Sequence, residues 1–353
     1  MEKPRCLILF EESCKSERTL QTYIYHIDRF LNWAHKDYES LLFLEKLELT
    51  DLLVDYAIYE KKRVSPNSMQ LIFAGIFKFL EMNDREFNKR KIISIFPEKI
   101  KSGGERAITD KELIELVRVA SSEKAQALIH VLSATGCRPQ GIAELQMKHI
   151  EEMPDGCLCL TVYAGSLHEY ITFLHSIATR ALKKYHAWRE SHGEKLNPDS
   201  FVFTGTRVFA TMPSKPLHYT TIATIISNCM IKANLRRVKT GKRYDLATCT
   251  GIRKRFNTKL KMNPDVSYPI AEGFMDHKYR LESHYLKPTK EKLFLEYKKA
   301  IPDLVFDESA KLRIENENKQ KKIDELESSK VRIAELESRM DTINKHLQKL
   351  KID

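Results

Sequence analysis

The chain has 353 residues, long enough for two domains with cores of their own, and 59 Lys+Arg against 48 Asp+Glu leave a formal charge of +11. A hydrophobic content of 42% excludes wholesale disorder, and so basic a balance suits a protein that sits on a polyanion. The seven cysteines, Cys6, Cys14, Cys137, Cys157, Cys159, Cys229 and Cys249, are odd in number and form no CxxC pair, which argues against a disulfide framework and for a reducing interior.

The first apolar run, Leu7 to Phe10, is short and broken by Glu11 and Glu12, so neither a signal peptide nor a membrane span is expected, and the expected location is cytoplasmic. Over residues 16–35 apolar side chains recur at helical spacing: Leu20, Tyr23, Ile24, Ile27, Phe30, Leu31 and Ala34. Helices are also predicted over 49–60 and 65–82, the latter opening on Ser65, Pro66, Asn67 and Ser68, which are helix-start residues. Residues 1–96 therefore read as an all-helical domain. The polar stretch 97–107, with its Gly103-Gly104 pair, reads as a linker.

Thr109-Asp110-Lys111-Glu112 has the wording of a capping box and predicts the start of a second domain over 108–306. Helices are expected at 110–121 and 124–134. Two short apolar or β-branched runs, 157–163 and 169–174, flank Ala164-Gly165-Ser166-Leu167-His168 and predict a β-hairpin, with Cys157 and Cys159 on one strand face as core residues in preference to metal ligands. Further on, Lys232, Arg236, Arg237, Lys239, Lys242 and Arg243 come with no acid until Asp245; with Lys254 they read as a phosphate-contacting edge. From 307 to 353 a heptad register places Leu326, Ile333, Met340 and Leu347 at a, and Leu336, Ile343 and Leu350 at d. Ser329, Lys319 and Lys322 occupy other core slots. This tail is either a coiled coil, the preferred reading, or a lone helix packing back on the body.

Four residues carry the chemistry. Arg138 stands in Ala134-Thr135-Gly136-Cys137-Arg138, Arg253 in Thr250-Gly251-Ile252-Arg253-Lys254, His277 in Met275-Asp276-His277-Lys278, and Tyr285 in His284-Tyr285-Leu286. An arginine fork can hold both non-bridging oxygens of a phosphate without losing its charge, and two forks can neutralise a pentacoordinate phosphorus. A tyrosine phenol is a nucleophile able to store the phosphodiester bond covalently, without a nucleotide cofactor.

In this order and wording the chain resembles the tyrosine recombinases, or phage-type integrases, over about residues 14–305, and is closest in wording to the archaeal integrases. The resemblance implies a mainly α fold with a small antiparallel β element. A helical core-binding domain would close a clamp around duplex DNA with a catalytic domain, and the coiled-coil tail lies outside the family pattern. It implies site-specific DNA cleavage and rejoining through a 3′-phosphotyrosyl link to Tyr285, with no metal or cofactor, on double-stranded DNA, by a homo-oligomer that is a tetramer on paired sites.

The match is partial. Thr250 stands where the family has a histidine, Gly141 where an acid orients the first arginine, and Asp276 where a glycine precedes the third-box histidine; Glu144 is a substitute acid one helical turn on. No lysine occurs between Lys148 and Lys183, so the hairpin lysine that protonates the departing 5′-oxygen is missing. By position His168 is the nearest replacement, with Lys278 and Lys215 as less constrained ones. A second reading is therefore a DNA-binding protein that kept the fold and lost efficient catalysis. A type IB topoisomerase would share the chemistry without the assembly that the heptads favour.

Overall fold

The computed structural model describes residues 4–100, 103–104, 106–205, 215–240, 243–277 and 288–350, and the chain divides into two compact units, 1–101 and 102–353.

The first unit is helical: α1 (Arg5–Glu12), α2 (Glu17–Ala34), α3 (Tyr38–Leu42), α4 (Lys46–Lys61), α5 (Met69–Met82) and α6 (Lys89–Ser94). The apolar run at 7–10 is helical: Cys6 and Phe10, four apart, bury one face of α1, and Glu11 and Glu12 form its last two positions. Pro66–Ser68 forms a 3-10 turn ahead of α5, with Ser65 at its N-cap. Phe10, Ile27, Phe30, Leu53, Tyr56 and Phe73 are fully buried together. Gly75 lets α5 cross α2 closely, since a Cβ there would lie 2.9 Å from the Cα of Tyr23. The wholly buried Glu60 is met by Arg29 at 2.5 Å, the pairing that a carboxylate needs in such a place.

The second unit opens with α7 (Asp110–Val119), whose capping box forms as the sequence predicts: Thr109 Oγ1 accepts from Glu112 N, and the Glu112 carboxylate accepts from Thr109 N. α8 (Glu123–Thr135) ends at Gly136 in the left-handed region, φ 59°. After the short α9 (Pro139–Ala143) comes a three-stranded antiparallel sheet, β1 (Ile150–Met153), β2 (Cys157–Val162) and β3 (Tyr170–Leu174), in the order β1-β2-β3. The predicted hairpin is β2–β3, with Leu158 opposite Leu174 and Val162 opposite Tyr170. β1 adds a strand that its acidic residues disguise.

β2 is buried on both faces. Leu158, Leu160 and Val162 face one core with Leu128 and Leu132 of α8, whereas Cys157 and Cys159 face a second with Phe173 and Phe256. Both cysteines are thus core residues, and no metal-holding cluster of His, Cys, Asp or Glu occurs among the described residues. The remaining elements are α10 (Ser176–Ser191), α11 (Tyr219–Lys232), the two-residue pair β4 (Lys239–Thr240) and β5 (Arg243–Tyr244), α12 (Thr248–Met262), α13 (Tyr268–Gly273), α14 (Lys290–Leu304) and α15 (Glu308–Leu350). Arg106 binds Glu112 at 2.8 Å and Asp245 at 3.2 Å, so the end of the Gly-Gly segment is fastened to this unit.

The tail is one helix, α15, and its predicted seam faces solvent: Leu326 is 63% exposed, Ile333 55%, Leu336 53% and Met340 63%. The side chains of Ile343, Leu347 and Leu350 lie outside the described residues. Among the described residues no helix is long and apolar enough to cross a membrane.

Three histidines of this unit are held neutral by burial, which pushes His130 and His186 down to about 4 and His175 to about 3. In an unfolded chain each titrates near about 6.5. Between pH 6.5 and 4 the unfolded state therefore binds more protons, so stability is complete above that window and is lost as pH falls through it. Calorimetry should show the Tm falling from pH 6.5 to 5; a constant Tm over that range would contradict the neutral burial of these rings.

Candidate active site

α8, α12 and α13 end or begin at one place, and each delivers part of a polar cluster. Arg253 lies on the second turn of α12. Its Nη1 donates to the carbonyl of Gly136 at 2.5 Å, and its Nη2 donates to the carbonyl of Met275 at 2.5 Å and meets His277 Nε2 at 3.2 Å. Burial, and next the charge of Arg138, pull this guanidinium below the usual arginine pKa. The nearness of a second cation is what a dianionic, phosphorane-like group would reward.

His277 is oriented from behind. Its Nδ1 lies 2.7 Å from Glu272 Oε2. A carboxylate only accepts and a guanidinium only donates, so the two partners assign the tautomer with hydrogen on Nδ1 and a lone pair on Nε2. Glu272 is 9% exposed and also binds Lys261. Burial opposes its ionisation, but the bonds from Lys261 and His277 outweigh this and hold its carboxyl below the usual range.

The backbone that presents His277 is a helix C-terminal reversal. His277 N donates to Glu272 O at 3.1 Å and Asp276 N to Gly273 O at 3.2 Å, with Asp276 itself at φ 54°. This is the Schellman pattern, in which the left-handed position is most often glycine.

Arg138 is the N-cap residue of α9, ahead of Pro139, and its side chain is 44% exposed. Its Nη1 donates to Asp276 Oδ2 at 3.0 Å, and His168 Nδ1, from the β2–β3 loop, stands 3.5 Å from the same oxygen. Glu144, the substitute acid that the sequence offers, is bonded instead by Gln140. Gly141 leaves no ready space for an acid: a Cβ there would lie 2.6 Å from Val162 Cγ1, so that methyl would have to shift. Between the two arginines Cys137 is buried and accepts from Tyr170 OH at 3.3 Å.

The structure thus brings together Arg138, Arg253, His277 and His168. Thr250 is exposed one turn ahead of Arg253 and lines a separate cleft of about 420 Å³ with Gly103, Arg237, Arg243 and Tyr244. Of the basic residues, Lys232 ends α11, Arg236 follows it, and Lys239 and Arg243 lie on β4 and β5, all exposed; Arg237 stacks on Tyr244 at 4.5 Å and Lys254 is half-buried on α12. The charge run is therefore a small strand pair in part, hidden from periodicity by its lysines and arginines. Tyr285, Lys242 and Lys278 lie outside the described residues, while the exposed Lys215 accepts from Gly205 N through its carbonyl. The sequence reading missed Glu272 and Lys261, which reach the site through side-chain contacts that no local pattern announces.

Protein-family models and curated proteins give no match to this chain. Among solved structures it is similar to the XerH site-specific recombinase bound to difH substrate in a pre-cleavage complex, at TM-score 0.54 and 15% identity over 79% of this chain and 83% of that one. A lambda integrase(75-356) dimer bound to a COC' core site gives TM-score 0.51 and 16% identity, over 80% and 92%. A lambda integrase tetramer bound to a Holliday junction gives 0.51 and 17%, over 81% and 79%. The likeness is one of fold, and the chain has the tyrosine recombinase fold, mainly helical with a small antiparallel sheet.

Proposed function

We propose that this chain is a site-specific DNA recombinase that cuts and rejoins duplex DNA through a 3′-phosphotyrosyl bond on Tyr285. The observation that carries the proposal is the convergence of Arg138, Arg253 and His277, from three separate segments, on one partly buried spot of a recombinase fold. Tyr285 Oη attacks the phosphorus, the bond from phosphorus to the 5′-oxygen breaks, and the two guanidinium groups take up the charge on the non-bridging oxygens. The freed 5′-hydroxyl of one strand then attacks the phosphotyrosine of its partner strand and returns the phenol. Lys232, Arg236, Arg237, Lys239, Lys242, Arg243 and Lys254 contact phosphates, and the similarity of wording to archaeal integrases and a cytoplasmic location belong to the same reading.

Departure of the 5′-oxygen needs a proton, and His168 is the donor this reading assigns, since it stands beside Arg138 through Asp276. The competing reading, a DNA-binding protein with impaired catalysis, is favoured by two observations: Thr250, where the family has a histidine, cannot accept a proton near neutral pH, and the hairpin has no lysine. The exposed seam of α15 supports pairing with a second copy, the step that a tetramer on two DNA sites requires.

A nicked suicide duplex run on a denaturing gel separates the readings. Wild type should form a covalent adduct and Tyr285→Phe none, with duplex affinity unchanged within about a few-fold because charge dominates such binding; an adduct in the Phe variant, or none in wild type, would count against the assignment. His168→Ala should cleave normal DNA slowly but approach wild type where the leaving oxygen is replaced by sulfur, which needs no proton. Equal defects on both substrates would remove His168 from the reaction. A chain ending at Asp307 should still form the adduct but show fewer copies per assembly by light scattering, and an unchanged oligomeric state would mean that the tail packs on its own body or meets a different partner.

A further inference from the structure

The side chain of Asp276 has no part in the reversal on which it sits. The backbone bonds of His277 and Asp276 make that turn, and at φ 54° any side chain is worse accommodated than glycine. What the side chain does instead is meet two residues from distant segments with one oxygen: Arg138 Nη1 at 3.0 Å and His168 Nδ1 at 3.5 Å. Asp276 is 11% exposed, whereas Arg138 is 44% and His168 66% exposed. The carboxylate is thus the fixed point, and the two long or mobile tips are what it fixes. At Gly141, where the family resemblance would put the orienting acid, a Cβ would meet Val162 Cγ1 at 2.6 Å.

We propose that Asp276 is a positioning residue, which holds Arg138 and His168 in one orientation toward the phosphodiester. This rests on the recombinase reading above. An exposed arginine must otherwise be ordered at the moment of reaction, losing side-chain entropy that the ion pair has already removed. The pair engages one amino group of Arg138, and the carboxylate also offsets the repulsion between Arg138 and Arg253 in the free protein.

The test uses the full chain with Asp276→Gly and Asp276→Asn. Glycine suits the left-handed backbone, so Asp276→Gly should melt no lower than wild type and bind duplex equally. It should form the adduct about 100-fold more slowly, the order expected when a reacting constellation is misplaced. Asp276→Asn, which tolerates the same backbone and keeps an acceptor, should fall between. A glycine variant that reacts at or above the wild-type rate would overturn the proposal, because the carboxylate would then be a filler of the turn or a competitor of the phosphate. A second readout needs no cleavage. In spectra of ¹⁵N-arginine-labelled protein, the Arg138 guanidinium signal, identified by its loss in Arg138→Lys, should shift and sharpen toward free rotation in Asp276→Gly. If wild type forms no adduct, the recombinase reading fails, and this spectrum still decides the role of Asp276: an unmoved Arg138 signal overturns it.

Discussion

Holding the half-buried Arg253 guanidinium between two helix ends is the constraint around which the site is arranged. A charge drawn partly out of water loses solvation, and each hydrogen bond to it returns about 1.5–3 kcal/mol, so it persists only where several acceptors are fixed in place. Here two are backbone carbonyls at the ends of helices, Gly136 after α8 and Met275 after α13, where unpaired carbonyls and the negative end of the helix dipole both favour a cation. Each of these ends is a left-handed reversal, at Gly136 and at Asp276. At Gly136 the constraint is double, since a Cβ would come within 2.3 Å of the ring of Phe256, one turn beyond Arg253 on the same helix.

From that anchor the polarity of the site follows. Behind the cluster Glu272, nearly buried, is satisfied by Lys261 and His277, so its charge is spent inside and the imidazole is left with one tautomer. In front stand Arg138 and His168, exposed and tied to a single carboxylate. The acids are paired inward, and the exposed tips of Arg138 and His168 face outward, an arrangement suited to an anion approaching from solvent. The sheet contributes through β2, whose two buried faces fix the loop that carries His168 to the cores beneath.

Much of this was legible in the sequence where the signal is local. The capping box at Thr109 and Glu112, the hairpin after Cys157 and the long amphipathic helices depend on short-range periodicity and on cap chemistry, and they form as those rules expect. The gathering of Arg138, Arg253 and His277 was legible through the wording around them. Contacts that join residues far apart were not: nothing near Arg138 shows that its carboxylate stands at Asp276, because the glycine at 141 excludes a local one only by collision with Val162. β1 and the β4–β5 pair were hidden for another reason, their charged residues masking any alternation of two.

The central claim is that Arg253 and Arg138 meet the same phosphate. A crystal structure of the full chain on a nicked duplex, with vanadate standing in for the phosphorus at the nick, tests it directly. The account predicts both guanidinium groups within hydrogen-bond distance of the vanadate oxygens, with Tyr285 Oη as an apical ligand. Vanadate seated in the cleft of Arg237 and Arg243, with Arg253 still bound to Gly136, Met275 and His277 alone, would contradict it.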